Sequence, residues 1–328
     1  MKYLIAGFGS IGRRHFRNLY KLGVRDFVFL RSGRSTLPDS EIADYPYETD
    51  LDSALSHHPD VVIVSNPTSL HLDVAIPAAE MGCHLFIEKP LSHSMDRIDR
   101  LQSAVNEGGG QVLVGFQFRY HPQLLKISEL LSTCVIGDPI SVHAEWGEYL
   151  PGWHPWEDYR NGYSAREDLG GGVVLTLCHP FDYLSWFFGK VSDLWAFVSK
   201  VGSLDIEVDG LAEIGLRFQN GMTGIIHLDF IQQPATHTLT IIGTEGKIDW
   251  NYLTGRLLVY VQKDNKPDQF ELPVGYERND MFEDQMKHLI AVCQGVELPR
   301  CSLLDGITAQ ELVMAVYESS REKKIISW

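Results

Sequence analysis

The sequence predicts an α/β fold: an N-terminal doubly wound parallel sheet, then an α+β half built on a large, mostly antiparallel open sheet. Three observations predict it. Short apolar runs without polar alternation recur as far as Val114 and alternate with helical segments, as strands buried on both faces do. The first of these runs leads straight into Gly7-Phe8-Gly9-Ser10-Ile11-Gly12. From Ile140 onward, β-branched and aromatic segments follow one another at short intervals, and Asn220-Gly221 is a strong hairpin signal.

The elements follow in order. Tyr3 to Ala6 is a buried strand, and Arg13 to Leu22 reads as a helix ended by Gly23. A G-x-G-x-x-G between strand and helix has a physical meaning. Gly7 permits the tight turn, Gly9 lets backbone approach a pyrophosphate, and Gly12 lets the helix pack close to the strand. The helix amides then face the phosphates, with Ser10 and Ile11 in the same loop. Phe27 to Leu30 is the second strand. Where a dinucleotide fold that prefers NAD places Asp or Glu on the ribose, this chain has Arg31, Ser32, Gly33, Arg34 and Ser35. Guanidiniums and hydroxyls suit a 2′-phosphate, so the expected cofactor is NADP, with NAD as the alternative; a solvated basic loop is the bland reading.

Asp50 to Ser56 reads as a short helix and Val61 to Val64 as the next strand, ending in Ser65-Asn66-Pro67-Thr68. Thr68 is the expected N-cap of a helix running to Met81. His84 to Ile87 is another strand, with Glu88-Lys89-Pro90 at its carboxyl end. Ligands gather beyond the carboxyl ends of parallel strands, so Asn66 and Lys89 are expected to face the cofactor. A helix over Ser94 to Glu107 and a strand over Val112 to Val114 complete the first half, residues 1–120.

In the second half, 121–328, Leu124 to Leu131 is a helix. Strands are expected over Ile140 to Tyr149, Asp193 to Val201, Asp209 to Phe218, Thr223 to Ile231, Thr236 to Ile242, Gly246 to Trp250 and Arg256 to Val261. Between Tyr149 and His179 lies a loop crowded with Tyr149, Trp153, His154, Trp156, Tyr159, Arg160, Tyr163 and Arg166. Aromatic faces stack on sugar rings or bases, and an arginine can fork a carboxylate or phosphate. The same loop could instead pack on its own domain or on a neighbouring subunit. Leu169-Gly170-Gly171-Gly172 then leads into an apolar helix over Val173 to Phe188, with His179 and Asp182 on one face. The last helix is Leu303 to Arg321.

Composition bounds the function. Net charge is −15, which argues against a nucleic-acid partner. The five cysteines are odd in number and form no CxxC, so neither a zinc site nor a disulfide framework is expected, and a reducing cytoplasm fits. No apolar run approaches the roughly 20 residues of a membrane helix. The apolar N-terminal run is broken by glycines and Arg13-Arg14, unlike a signal peptide.

The glycine motif, then Asn66-Pro67-x-x-x-His71, Glu88-Lys89-Pro90, and Gly115-Phe116-Gln117-Phe118-Arg119-Tyr120-His121-Pro122 together resemble the Gfo/Idh/MocA oxidoreductases, the glucose–fructose oxidoreductase and inositol dehydrogenase family. The resemblance runs the whole chain. It implies NAD(P)-dependent hydride transfer at a sugar carbinol and a last helix that packs back on the nucleotide domain. The open sheet would then hold a homodimer or homotetramer. It adds Asn66, Pro67, His71, Glu88, Lys89 and Gln117 to the cofactor-binding set. The residues expected toward substrate are Tyr149, Trp156, Arg160 and Tyr163 of the aromatic loop, with Arg119, Thr176 and His179. His179 and Asp182 match the family's His-x-x-Asp after the glycine run. The chain departs from the pattern at Leu175, where the family commonly has Asp; Thr176 stands next to it.

Hydride transfer from a carbinol needs a base for the hydroxyl proton and a cation near the developing alkoxide. Lys89 suits the second task and His179 the first, with Asp182 orienting it or holding a substrate hydroxyl. Tyr163 and Lys89 are reserve proton carriers. His71, His84, His121 and His154 lack metal-ligand spacing and read as structural or peripheral, and no metal is expected. Two other functions compete: a hydrolase that cleaves glycosidic bonds by transient oxidation on a retained cofactor, and a non-catalytic NADP-binding sensor. The aromatic, arginine-bearing loop and the Leu-Gly-Gly-Gly run favour a nucleotide sugar or sugar acid, by resemblance to members associated with surface-polysaccharide synthesis.

Overall fold

The computed structural model describes residues 1–33, 40–153, 157–264 and 266–328. Two compact units emerge. The first comprises Met1–Tyr120 and Glu277–Gln310, the second His121–Tyr276 and Glu311–Trp328.

The first unit is built on strands β1 (Tyr3–Ala6), β2 (Phe27–Leu30), β3 (Tyr47–Glu48), β4 (Val61–Val64), β5 (His84–Ile87) and β6 (Val112–Val114), in the spatial order β3-β2-β1-β4-β5-β6 and parallel throughout. Strand order reverses beside β1, the switch point at which doubly wound sheets hold their ligands. Helices α1 (Ser10–Lys21), α2 (Leu51–Leu55), α3 (His71–Glu80) and α4 (Ile98–Gly108) connect the strands. The core is aromatic under α1: Phe16 meets Phe27 edge-on at 5.0 Å and Phe29 at 5.4 Å.

Local chemistry explains the helix limits. Asp50 caps α2, accepting from Ser53 N at 2.8 Å. Thr68 does not cap α3: Thr68–Leu70 is a separate 3-10 turn and the α-helix starts at His71, with no side-chain cap. The fourth helix starts at Ile98 rather than Ser94, because Arg97 takes a left-handed φ of 68° immediately before it.

The second unit opens with α5 (Pro122–Ser132), then β7 (Pro139–Gly147), α6 (Val173–Thr176) and α7 (His179–Phe188). The strands β8 (Val191–Ser199), β9 (Leu211–Phe218), β10 (Thr223–Asp229), β11 (Thr236–Gly243), β12 (Gly246–Asn251), β13 (Arg256–Val261) and β14 (Asp268–Phe270) follow. The sheet runs β14-β13-β12-β11-β7-β10-β9-β8, mostly antiparallel, with one parallel pair between β7 and β10. Gln123 fixes α5 to this sheet. Its amide donates to Gly255 O and Phe270 O, and its oxygen accepts from the Trp250 indole at 2.9 Å.

The apolar segment after the glycine run is two helices rather than one. Pro180 has no N–H to donate to Thr176, so α6 ends there and α7 starts afresh at His179. Helix α8 (Arg278–Cys293) belongs to the first unit and was not expected from the sequence. A reciprocal cap of Glu277 and Asp280 marks its start, and Met281, Gln285, Met286, Leu289 and Val292 turn inward.

Helix α9 (Leu303–Glu322) spans the boundary between the units. In the first unit Gly306 lies against Val114 and Gln310 accepts from Ser92 N. In the second, Ser319 and Ser320 accept from Ala196 N and Val198 N. A closing strand β15 (Ile326–Ser327) pairs with β8. Among the described residues no helix is long and apolar enough to cross a membrane.

Candidate functional site

In the first unit the three glycines differ in what surrounds them. Gly7 has φ +95°, and a Cβ there would lie 2.5 Å from Asn66 N. A Cβ on Gly12 would lie 2.1 Å from Gly7 O. Both positions therefore exclude every other residue. Around the Cβ position of Gly9 nothing lies within 4 Å. Space is thus left at the one glycine where a pyrophosphate has to approach. Helix α1 starts there with no side-chain cap and no acidic residue in its first turn, and Ser10 is exposed beside it. An open cradle under an uncapped helix N-terminus fits a dinucleotide.

Arg31 stands at the end of β2 and is buried, so a solvated loop does not describe it. Its guanidinium carbon lies 5.5 Å from the Phe8 ring centroid, and that of Arg13 lies 4.3 Å from the same ring. Arg13 also pairs with Glu41 at 3.0 Å, and Arg17 forks the same carboxylate at 2.7 Å. The two arginines hold the Glu41 carboxyl below its ordinary range, Arg17 contributing most. Ser32 is exposed; Arg34 and Ser35 lie outside the described residues. Arg13 was not singled out from the sequence, although its place directly after the third glycine is a readable signal.

At the ends of β4 and β5, Asn66 donates from Nδ2 to Leu70 O at 3.0 Å, while its Oδ1 is buried with no hydrogen-bond partner among the described residues. Pro67 follows as the residue before the 3-10 turn. Lys89 is half-buried. Its neighbours turn inward. The Glu88 carboxylate meets His15 Nε2 at 2.6 Å and accepts from Lys89 N at 3.2 Å. The two nitrogens of the His71 ring lie 3.0 Å from Pro90 O and from Asn66 O, with the ring 1% exposed. Burial pushes the His71 pKa down, against the charge of Glu88. His71 and Glu88, expected to touch cofactor, thus have polar atoms engaged inside the unit. Gln117 and Arg119 are buried in a 3-10 turn. Arg119, expected to hold substrate, gives its guanidinium to the Arg300 carbonyl and to Asp305 at 3.2 Å.

In the second unit, His179 is the first residue of α7 and 1% exposed; Asp182, one turn on, is equally buried. Rings fix the surroundings. Trp146 stacks on His237 at 4.1 Å with 6° between planes, and on His179 at 5.4 Å with 27°. The Trp146 indole donates to Glu148 at 2.7 Å. Trp250 and Tyr252 close on His237, and His121 on Trp250 and Tyr252. Burial pushes His237 down to about 3 and His121 down to about 4. Thr176 ends α6 and is buried beside Leu175.

The glycine run is shaped by a residue the sequence reading missed. A Cβ on Gly172 (φ +114°) would lie 2.3 Å from Asp209 Oδ1. Asp209 accepts from Val174 N at 3.0 Å and from the Tyr317 hydroxyl at 3.0 Å. Burial raises its pKa.

Among the described residues of the aromatic loop, four 3-10 turns lie between Leu150 and Leu169. Tyr149 and Tyr163 are exposed. Arg160 forks Asp158 and reaches Asp205 at 3.1 Å, and Arg166 pairs with Asp168. The expected anion-binding guanidiniums are thus already matched to carboxylates, Asp158 and Asp168 on the loop itself and Asp205 beyond it. His154 and Trp156 lie outside the described residues. Among the described residues no group of three His, Cys, Asp or Glu side chains is placed to hold a metal ion.

Residues 1–116 match the oxidoreductase family with an NAD-binding Rossmann fold, and residues 124–249 match the GFO/IDH/MocA C-terminal domain. The chain is 24% identical over 348 residues to myo-inositol 2-dehydrogenase of Thermotoga maritima, covering 99% of this chain and 98% of that one. A shorter match, 30% identical over 120 residues, covers 36% of this chain and 31% of an uncharacterized oxidoreductase of Synechocystis. The WlbA dehydrogenase of Bordetella pertussis, solved with NADH and UDP-GlcNAcA, has the same fold. Its TM-score is 0.84 at 20% identity, over 100% of this chain and 97% of that one. With both domain models matched in order along one chain, the protein belongs to the GFO/IDH/MocA family of oxidoreductases.

Proposed function

We propose that this oxidoreductase uses NADP and transfers a hydride between the nicotinamide and the secondary hydroxyl or keto carbon of a sugar derivative, a nucleotide sugar or a sugar acid. The buried Arg31 at the end of β2 carries the cofactor assignment: a guanidinium stands where preference for NAD calls for a carboxylate. Gly9 and the start of α1 would hold the pyrophosphate, Arg31, Ser32 and Arg34 the 2′-phosphate, and Asn66 and Gln117 the nicotinamide end. When bound, the nicotinamide supplies the hydride acceptor or donor. Lys89 holds positive charge near the reacting oxygen and favours the alkoxide. His179 takes the hydroxyl proton in oxidation and returns it in reduction, with Asp182 orienting it. Tyr149 and Tyr163 offer ring faces to the sugar. The sugar reading draws support from the inositol and nucleotide-sugar dehydrogenases among its relatives.

NADPH deuterated at the transferring C4 position, incubated with keto sugars, tests the reading. Deuterium on the new carbinol carbon of the product supports it. Glycosidic cleavage with deuterium left on the cofactor would establish the hydrolase instead.

The cysteine pattern fits a cytoplasmic enzyme. For assembly, Trp195, Phe197 and Ile225 stand exposed on one face of the large sheet, where register places Trp195 beside Gly215 and Gly215 beside Ile225. Apolar side chains gathered in this way favour a homodimer or homotetramer through that face. A single monomeric species in sedimentation at micromolar concentration would refute it.

A further inference from the structure

Lys89 is the one residue of the first unit to which the proposed reaction assigns a chemical task. A lysine side chain has four rotatable bonds, so the position of its ammonium depends on how firmly its backbone is set. Here the backbone is set by two histidines. His15, fully buried on α1, places Nε2 2.6 Å from Glu88 Oε1. The other carboxylate oxygen accepts from Lys89 N at 3.2 Å. Glu88 has little freedom to do anything else: it lies against Gly115, where a Cβ would come within 3.1 Å of Oε2. The His15 ring is itself held edge-on by Phe86 at 4.8 Å. From the other side, His71 reaches Pro90 O at 3.0 Å and Asn66 O at 3.0 Å.

The histidines have different origins. His15 comes from the helix that begins at the dinucleotide loop, and His71 is the first residue of the helix that follows Asn66-Pro67. One links the Lys89 amide, through Glu88, to the helix that begins at the dinucleotide loop; the other sets its ring between the Pro90 and Asn66 carbonyls, and with a single N–H when neutral it donates to one of the two. Neither is predicted to touch substrate.

We propose that His15 is a positioning residue for Lys89, acting through the Glu88 carboxylate, with His71 as the second anchor of the same segment. The inference rests on the role given to Lys89 above. Misplacement of a catalytic group by about 1 Å costs on the order of 100-fold in rate, so a two-point anchor of this kind bears directly on turnover.

The test uses the full chain with its lysines reductively ¹³C-dimethylated, the Lys89 resonance being assigned by its loss in Lys89→Met. In His15→Leu the Lys89 resonance is expected to shift or split. In His15→Gln, which keeps a donor for Glu88, it stays near the wild-type position. NADPH affinity by fluorescence titration is expected to stay within about twofold in both, because the phosphate loop is untouched. A Lys89 resonance in His15→Leu superimposable on wild type, with only a lower melting temperature, would overturn the proposal and leave His15 a packing residue. If His15→Leu does not fold, Glu88→Gln serves instead. Glutamine replaces the two charged acceptor oxygens of the carboxylate with one neutral acceptor, which weakens the link between His15 and Lys89 N, so the resonance should move there too. Separately, unchanged NADPH-dependent turnover in Lys89→Met would remove the catalytic role of Lys89 while leaving the positional result intact.

Discussion

The corner of the first unit that carries Lys89 and the corner of the second that carries His179 are held by different kinds of contact. At the first, the contacts run through backbone atoms. Gly7 lies against Asn66, Gly12 against Gly7 O, and the Glu88-Lys89-Pro90 segment is pinned through its amide and carbonyl groups. At the second, rings meet rings. His179, Trp146, His237, Trp250 and Tyr252 pack on one another, and the glycine run wraps a buried carboxylate. A backbone-built corner tolerates no added atom at Gly7 or Gly12. A ring-built corner tolerates a change of ring, and its buried imidazoles make it sensitive to acid.

The largest effect expected from this contrast is in the glycine loop. Gly12→Ala sets a methyl against a carbonyl oxygen that cannot move away, and should destabilise the first unit by about 3 kcal/mol or more. Gly9→Ala places its methyl in open space and should change stability by less than about 0.5 kcal/mol. It should still weaken NADPH binding by about tenfold, because the methyl takes the place of the pyrophosphate. Denaturant unfolding and fluorescence titration read the two quantities separately. Equal stability loss in both variants would contradict the steric assignment.

A smaller effect is expected in the second corner. Folding lowers the pKa of His237 to about 3 and of His121 to about 4. Both rings therefore bind protons less readily folded than unfolded. As pH falls below about 6.5 the unfolded chain takes up protons first, and stability that is complete above that pH is progressively lost toward pH 3–4. Each ring contributes on the order of 1–3 kcal/mol to this acid loss, and His71 adds to it in the same direction within the first unit. His237→Phe keeps a ring on Trp146 and removes one titrating group. Its stability should fall less steeply than wild type between pH 6.5 and pH 4, flanks set by the ordinary and depressed histidine values. Parallel curves would show that His237 does not couple to unfolding.

How far each corner was legible follows from the same contrast. The dinucleotide loop could be read because its constraints lie within a few residues: strand, three glycines and helix are contiguous. The break before His179 was written in Pro180 but was hidden by an apolar run that continues across it. Arg119 looked available because Arg300 and Asp305, which take up its guanidinium, lie far along the chain. The same distance concealed the link between His15 and Glu88, 73 residues apart. The Trp146–His237 stack depends on the pairing of β7 with β11, a register that alternation alone does not fix. Helix α8 escaped because its sequence lacks a sharp apolar period, although its capping residues were in plain view. Function was legible at a coarser level through motif order, while the use of individual polar side chains was not.

Cofactor choice decides whether Arg31 reads a 2′-phosphate. Wild type and Arg31→Asp would be titrated with NADPH and with NADH by fluorescence. NADPH is expected to bind wild type at least about tenfold tighter than NADH, a margin of about 1.4 kcal/mol, and Arg31→Asp is expected to lose it. NADH bound more tightly by wild type, or a cofactor that copurifies and does not exchange, would contradict the assignment of Arg31 to a 2′-phosphate.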